Sequence, residues 1–485
     1  MKLKDLLREV TPTRMAGPGE ADISGVCYDS RKAAPGCLFV AVRGFRSDGH
    51  AYIPAALERG AAALLVEEMP GDLPEHITCV QVDDTRAALA RVAAAWYGHP
   101  ERELKLIGVT GTNGKTTVTH LVRHILEKNG QKCGLIGTNG VYFGDVCRES
   151  ARTTPESLEL YGLLREMADS GCACAAMEVS SHSLALQRVL GLRFAAAAFT
   201  NLTQDHLDFH GDMEHYYRTK ALLFDRCDTA VINLDDSWGQ RLAEEKTCPR
   251  ITLSARRDEA DLVAKNIRLQ PDGIQAVVVR DCDIARLRLG IPGMFSVYNA
   301  LTALGCLVSA GIHMDDAVEG LKSARGVKGR IEVVETNRDF SVIIDYAHTP
   351  DGLYNVIRTI RGFCKGRIIT VFGCGGDRDA GKRPKMGRIA AELSDYCVVT
   401  SDNPRTENPV AIINDVVEGV KNGKCDYTVV VNRFEAIETA LDMAKKDDVV
   451  LLAGKGHETY QILADRTIDF DEREIVRKLL NIQGD

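Results

Sequence analysis

No C-x-x-C pair, no Asn-Lys dipeptide and no apolar run near the ~18 residues of a membrane-spanning helix occurs in this chain of 485 residues. The first absence removes the commonest zinc-ligand spacing, although there are 15 cysteines. These are scattered, with one C-A-C pair at Cys172 and Cys174, and many lie in strand-like apolar runs, as Cys397 does. Reduced, mostly buried thiols are expected. The N-terminal MKLKDLLREVTPTR carries charges through its apolar positions and has no signal-peptide core, so the expected location is the cytoplasm. Excess positive charge is missing too: 60 Lys and Arg stand against 68 Asp and Glu, a net charge of −8. General nucleic-acid and membrane-surface binders want basic fields, so neither partner is expected, and any phosphate must be held at a discrete local site. No low-complexity tract and no repeat with a period of roughly 20–50 residues is found.

What remains is the make-up of an ordinary globular protein, 45% hydrophobic and 26% charged. The length suits about three domains of ~100–200 residues each. Gly98 and Pro100 break a helical pattern running from Ala87 to Ala95, and Gly326 and Gly329 mark a second break. The domains expected are 1–100, 101–329 and 330–485. From 104 to 328, strand-like runs alternate with helical patterns, the signature of a parallel α/β sheet. Beyond it, runs at 342–345, 367–372, 397–399 and 449–452 each read as a buried parallel strand followed by a polar turn. The fold class is α/β: a central P-loop ATPase-like parallel-sheet domain and a C-terminal Rossmann-like doubly wound domain, with ligand groups at the carboxyl ends of its strands.

The run 104–110 is a strand candidate, followed by Gly111, Thr112, Asn113, Gly114, Lys115, Thr116 and Thr117. Val118, Leu121, Val122, Ile125 and Leu126 then recur at helical spacing, with Gly130 as a C-cap. Strand, glycine loop, Lys-Thr and helix form the context of a phosphate loop. Its glycines let backbone N–H groups face phosphate oxygens, and the helix N-terminus adds positive potential. Lys115 would reach the β- and γ-phosphates, and Thr116 would offer its hydroxyl to Mg²⁺. One position departs from G-x-x-x-x-G-K: valine stands at 109, with Gly108 and Gly111 on either side. The missing Asn-Lys pair removes the N-K-x-D base reader of regulatory GTPases and leaves a kinase or ATPase open.

Two further segments carry candidate metal ligands. Glu178 ends a run of small apolar residues, where a carboxylate can approach Mg²⁺, and 199–210 gathers Asp205, His206, Asp208 and His210. Carboxylates suit hard magnesium better than histidine does, so His206 alone reads as a hydrogen-bonded structural residue. Lys220, in H-Y-Y-R-T-K-A-L-L-F, reads by itself as an exposed helix lysine. Ser30, Thr153 and Thr154 read as turn or cap hydroxyls, and S-D-N-P-R-T-E-N-P (401–409) as a solvated turn.

Taken in order, GVTGTNGKTT, ARTTPE, MEVSSHSL, TNLTQDHLDFHG and YYRTKALLF, then YNALTA, GRIE, DYAHTP, GCGGDRD, DNPR and GKGHE, resemble the Mur ligase family across essentially the whole chain. The N-terminal DSR and PGCLFVAVRG fit as well. The resemblance implies an N-terminal α/β UDP-binding domain and an enzyme that uses ATP to add an amino acid to the UDP-muramoyl precursor of peptidoglycan, through an acyl phosphate. It assigns residues 111–117 to ATP, with Asn299 near the base, Arg330 at the phosphates and Asp345 at the ribose. It puts one Mg²⁺ on Thr116 and Glu178 and a second near His206. It also makes Lys220 a carbamylated lysine, in which CO₂ on a neutral amine turns a cation into a metal-binding carboxylate. Lys115, Lys220, Glu178 and His206 form the implied catalytic group. Ser30 matches the uridine-diphosphate position, and Thr153, Thr154, Ser180 and Arg188 match positions for the UDP-MurNAc-dipeptide. A monomer is the family-level expectation.

Within the family, D-N-P-R goes with addition of meso-diaminopimelate, whose far end carries both an ammonium and a carboxylate. Arg405 is then expected to clamp that carboxylate bidentately, with Arg378 as a second cation. Asp402, Asn403 and Glu458 offer acceptors for the ammonium, with Pro404 and Gly454 close by. Lysine-adding relatives lack this arrangement, since lysine has no distal carboxylate. L-Lysine or another amino acid as substrate, and a P-loop ATPase or kinase, stand as alternatives.

Overall fold

The computed structural model describes residues 1–44, 47–150, 152–203, 205–270, 272–281, 283–324 and 326–482. They fall into two compact units, one made of 1–253 with 305–312, the other of 254–304 with the residues from 313 onward.

In the first unit, Gly25–Cys27, Cys37–Val40, Ala63–Val66 and Thr78–Gln81 form a parallel sheet, edged by the antiparallel Arg14–Ala16. Strand alternation gives this sheet two apolar faces. Leu38, Val40, Leu65 and Val80 pack with Leu89 and Val92 of helix Thr85–Trp96. Phe39, Leu64, Val66 and Cys79 pack with Ile53 and Ala56 of helix Ile53–Glu58. The longer helix stops where its sequence says it should, with Gly98 at φ +68°.

The second sheet of this unit carries the strands Arg250–Ser254, Cys227–Asn233, Phe194–Phe199, Lys105–Thr110, Cys174–Glu178 and Cys133–Gly137 in that spatial order, all parallel. Gly140–Phe143 and Val146–Arg148 continue it as antiparallel strands. Lys105–Thr110 comes first in the chain yet lies between Cys174–Glu178 and Phe194–Phe199. Strand order therefore reverses beside it, and a crevice opens at the carboxyl ends, the usual place for a ligand.

In the second unit the parallel alternation expected as far as 328 gives way to a meander. Leu262–Gln270, Gly273–Arg280 and Asp283–Leu289 pair antiparallel, and the last alternates exposed with buried residues, one face wet and one packed. The remaining sheet is parallel: Ser341–Asp345, Val449–Ala453, Ile368–Phe372, Tyr396–Val399 and Asp426–Val429, edged by antiparallel Glu332–Val334. Helices Pro350–Arg361, Lys382–Leu393 and Pro409–Val420 cover one face, and Arg433–Met443 and Glu472–Leu479 the other. This is the doubly wound arrangement expected, and the polar segments after 345, 372, 399 and 453 leave one edge together. Among the described residues, no helix is long and apolar enough to cross a membrane, and the cysteines are free thiols, most of them buried.

One ion pair pins the second face down. Arg433 and Glu472, both with fully buried side chains, begin the two covering helices and meet at 2.8 Å. Arg433 also donates to the carbonyl of Ala453 at 2.9 Å, at the end of the strand before Gly454. Arg433→Ala strands a buried carboxylate, which costs about 3–5 kcal/mol. Thermal unfolding should show a clear loss in Tm for Arg433→Ala and a smaller loss for the double variant Arg433→Met/Glu472→Leu. A single variant as stable as the parent would show that the pair contributes nothing.

Candidate active site

The phosphate-loop candidate runs from strand Lys105–Thr110 into helix Lys115–Lys128. Val109, standing where the commoner motif has glycine, is a fully buried strand residue opposite Glu178, so the tight turn comes two residues later. Gly111 makes it, at φ +141°; a side chain there would collide with the Thr200 hydroxyl. Gly114, at φ +89°, is the N-cap. Lys115, Thr116 and Thr117 form the first helical turn, whose N–H groups have no partner within a helix. The Lys115 ammonium folds back to donate to the carbonyls of Gly111 (3.0 Å) and Thr112 (2.8 Å). Neighbouring Thr200 and Asn201 strap the loop: the carbonyl of Asn201 accepts from Thr112 N–H, its side-chain oxygen from Asn113 N–H, and Thr200 donates to the Asn113 carbonyl.

Glu178 sits at the carboxyl end of the adjacent strand, 1% exposed. Its Oε1 accepts from the Thr116 hydroxyl at 2.9 Å and from Thr138 N–H at 2.8 Å, and its Oε2 accepts from the Thr138 hydroxyl at 3.2 Å. The Thr138 and Thr153 hydroxyls are 3.0 Å apart. Thr154 donates to the Glu178 carbonyl at 2.8 Å and lies 3.3 Å from the Ser180 hydroxyl, which caps helix Ser181–Ala185. Arg188 donates to the Thr154 carbonyl and pairs with Glu156 at 2.9 Å. Thr116, Glu178, Thr153, Thr154, Ser180 and Arg188, far apart in sequence, thus form one connected group. Its donor set, a buried carboxylate among hydroxyls, fits a hard cation such as Mg²⁺. Sequence reasoning missed Thr138; its signal was a hydroxyl in I-G-T-N-G just after the strand Cys133–Gly137.

Lys220 is no surface residue. It is 1% exposed on helix Met213–Ala221, donates to the Gly111 carbonyl at 2.9 Å and lies 4.7 Å from the centre of the Tyr216 ring. Burial pushes its pKa well below that of an ordinary lysine, and the Lys115 charge pushes the same way. Both lysines aim at one carbonyl. His206 lies in an aromatic cluster beside them, its ring edge-on to His182 at 5.0 Å and 6.3 Å from Tyr216. It is half exposed, at φ +52°, with Nε2 3.4 Å from Asp205. His210 Nε2 is 2.9 Å from the Ser181 hydroxyl. The side chain of Asp208, grouped with these residues on sequence grounds, lies outside the described residues, as do Ala151 and Gln204 of the same motifs.

Toward the N-terminus, Ser30 opens the short turn Ser30–Lys32 capped by Asp29, whose carboxyl the Arg31 side chain holds down at about 2. Asp29, Arg31 and Lys32 line a cavity of about 740 Å³ with Tyr28, Arg148 and Arg152. It is large enough for part of a nucleotide-sized ligand.

The second unit holds the other expected residues in two groups. Asn299 is buried on helix Met294–Ser309. Asp345 accepts from the N–H groups of Ile331 (2.8 Å) and Ala347 (2.9 Å), and burial raises its pKa. Arg330 lies 5.4 Å from the Tyr346 ring centre with its Nε buried and unpartnered, and the His457 ring lies 4.7 Å from Tyr346.

The other group runs against the solvated-turn reading in the first half of 401–409, while Thr406 and Asn408 stay exposed. Ser401, Asp402, Asn403 and Pro404 are buried. Asn403 donates to Glu458 at 2.9 Å and accepts from Ile462 N–H at 2.9 Å. Gly454 is needed because a Cβ at its φ of +118° would press on the Asp402 carboxylate. Arg405 adopts φ +51° and donates to the Gly376 carbonyl at 2.9 Å, which ties the segment to G-G-D-R-D. Arg378 is exposed on that same loop. Glu407 accepts from Asp377 N–H and from the buried Arg383, contacts that sequence reasoning did not supply.

Three family models match successive stretches: "Mur ligase family, catalytic domain" at 22–97, "Mur ligase middle domain" at 109–307 and "Mur ligase, glutamate ligase domain" at 329–456. The chain is 47% identical over 482 residues to UDP-N-acetylmuramoyl-L-alanyl-D-glutamate–2,6-diaminopimelate ligase 1 of Clostridium acetobutylicum, covering 99% of each chain. It is 47% identical over 484 residues to the ligase named for the same substrates in Clostridium tetani, again covering 99% of each. A solved ligase of that name superposes with a TM-score of 0.75 at 30% identity, covering 99% of both chains. With similarity of this depth over its whole length, the chain belongs to the Mur ligase family.

Proposed function

We propose that the chain is an ATP-dependent, ADP-forming ligase that adds meso-2,6-diaminopimelate to UDP-N-acetylmuramoyl-L-alanyl-D-glutamate, in the cytoplasmic synthesis of peptidoglycan precursors. The observation that carries the reading is the buried Thr116–Glu178 pair behind a lysine-bearing phosphate loop. The names of full-length relatives supply the substrates. Residues 1–100 bind the UDP end, 101–329 handle ATP and acyl transfer, and 330–485 hold the amino acid, in a monomer.

A carboxylate in water does not acylate an amine unaided. An oxygen of the glutamyl carboxylate attacks the γ-phosphorus of ATP, the bond to ADP breaks, and an acyl phosphate forms. The amine then attacks the acyl carbon, phosphate leaves, and the nitrogen gives up its proton. Residues 111–117 offer N–H groups and the Lys115 ammonium to the phosphate oxygens. Thr116 and Glu178 would hold one Mg²⁺, and His206 would help hold a second; when bound, such ions would neutralise charge on the transferring phosphoryl group. Asn299, Arg330 and Asp345 take the base, phosphates and ribose. Ser30 takes the uridine diphosphate, and Thr153, Thr154, Ser180 and Arg188 take the rest of the acceptor. Burial and the nearby Lys115 charge both favour the neutral amine of Lys220, the form that takes up CO₂. A carbamate there would set an anion beside the Lys115 ammonium, with which Lys220 shares the Gly111 carbonyl.

Phosphate release measured with the UDP-MurNAc-dipeptide, with and without each amino acid, separates the readings: dependence on diaminopimelate supports the ligase, and amine-independent release an ATPase. Lys115→Ala should abolish release while UDP-substrate binding by calorimetry stays near the parent value; unchanged turnover would remove the phosphate-loop assignment. Lys220→Ala should lose most activity and regain part of it with acetate or formate, small anions that enter the vacated space. A full rate without rescue would make Lys220 structural.

Arg405 decides the amino acid. Truncating one partner of a charge-assisted pair whose other member stays buried costs about 2–5 kcal/mol. In Arg405→Ala, kcat/KM for meso-diaminopimelate should therefore fall roughly 30-fold to more than 1,000-fold. Use of L-lysine, which has no distal carboxylate, should stay level. Equal losses for both would assign Arg405 to the fold or to the shared chemistry.

A further inference from the structure

Lys455 has no part in the reading above. Its side chain is fully buried, which lysine almost never is unless paired. It follows strand Val449–Ala453, between Gly454 and Gly456. Its Nζ donates to Asn403 Oδ1 at 3.1 Å and lies 3.4 Å from Glu458 Oε2 and 3.8 Å from Asp402 Oδ1. The rings of Tyr460 and Phe470 stand 6.0 and 5.9 Å from it and keep the ammonium away from water.

An ammonium carries donors only, so the amide of Asn403 must turn its oxygen toward Lys455. The Ile462 N–H demands the same oxygen. With that end fixed, Nδ2 of Asn403 points at Glu458. Lys455 also stands between two carboxylates and offsets their mutual repulsion. Two carboxylates and one ammonium leave a single net negative charge, the complement of one substrate ammonium.

We infer that Lys455 is the positioning residue of the amine site: through Asn403, Glu458 and Asp402 it shapes and charges the pocket that receives the distal ammonium of a diamino diacid. This rests on the ligase reading above. Lys455 touches none of the reacting atoms, so its loss should show in recognition of one substrate only.

The test is steady-state kinetics on the full chain for the parent, Lys455→Met, Asn403→Ala and the double variant. Lys455→Met is expected to raise KM for meso-diaminopimelate at least about tenfold, the worth of one charge-assisted contact, with KM for ATP and for the UDP-MurNAc-dipeptide within about threefold of the parent. In the Asn403→Ala background the same change should have a clearly smaller effect, since residues that act through one another are not additive. Lys455→Gln, which keeps a donor for Asn403, is measured alongside in case the methionine variant melts below the assay temperature; it should show the same split in milder form. Parallel losses for all three substrates, or full additivity with Asn403→Ala, would overturn the assignment and leave the ligase reading intact. A parent enzyme whose phosphate release ignores diaminopimelate would overturn both.

Discussion

A carboxylate sealed from water governs the first unit. Glu178 meets hydroxyls and one amide N–H from three different segments: the helix after the phosphate loop, the turn after Cys133–Gly137 and, through its own carbonyl, the Thr154 segment. A buried charge held by neutral donors is costly to keep, and it becomes favourable when a cation arrives. The hydrogen bonds that hold this charge also fix Thr116 and Thr138 in place. Loop, strand order and capping hydroxyls all serve this one oxygen pair.

The second unit uses the same device with the opposite sign. There the sealed group is a cation, Lys455, and the groups arranged around it are an amide and two carboxylates. Both stand at the carboxyl end of a parallel strand, where buried backbone stops and side chains take over the hydrogen bonding. In both, a glycine leaves room for a carboxylate: Gly137 for Glu178, and Gly454 for Asp402.

Strands and helices of the central and C-terminal parallel sheets were readable because those sheets are apolar on both faces, so their strands stand out as continuous runs. The meander from Leu262 to Leu289 was not, because its alternation of wet and dry residues competes with the helical patterns around it. Among site residues, the phosphate loop was legible locally, since its glycines, lysine and helix are contiguous. Lys220 was not, because nothing in Y-Y-R-T-K-A-L-L-F tells a buried lysine from a wet one; only the resemblance singled it out. Thr138 and Lys455 passed unnoticed for a related reason. Their importance lies in partners dozens of residues away, Glu178 for one and Asn403 for the other.

The burial of 401–404 makes the segment intolerant of piecemeal change. Asn403 alone answers to Lys455, Glu458 and Ile462, and Arg405 holds an uncommon backbone conformation on behalf of a neighbouring loop. Exchanging these residues one at a time strands a buried charge or an unpaired amide. The segment behaves as one interlocked unit, in which a change at one position is felt at the others.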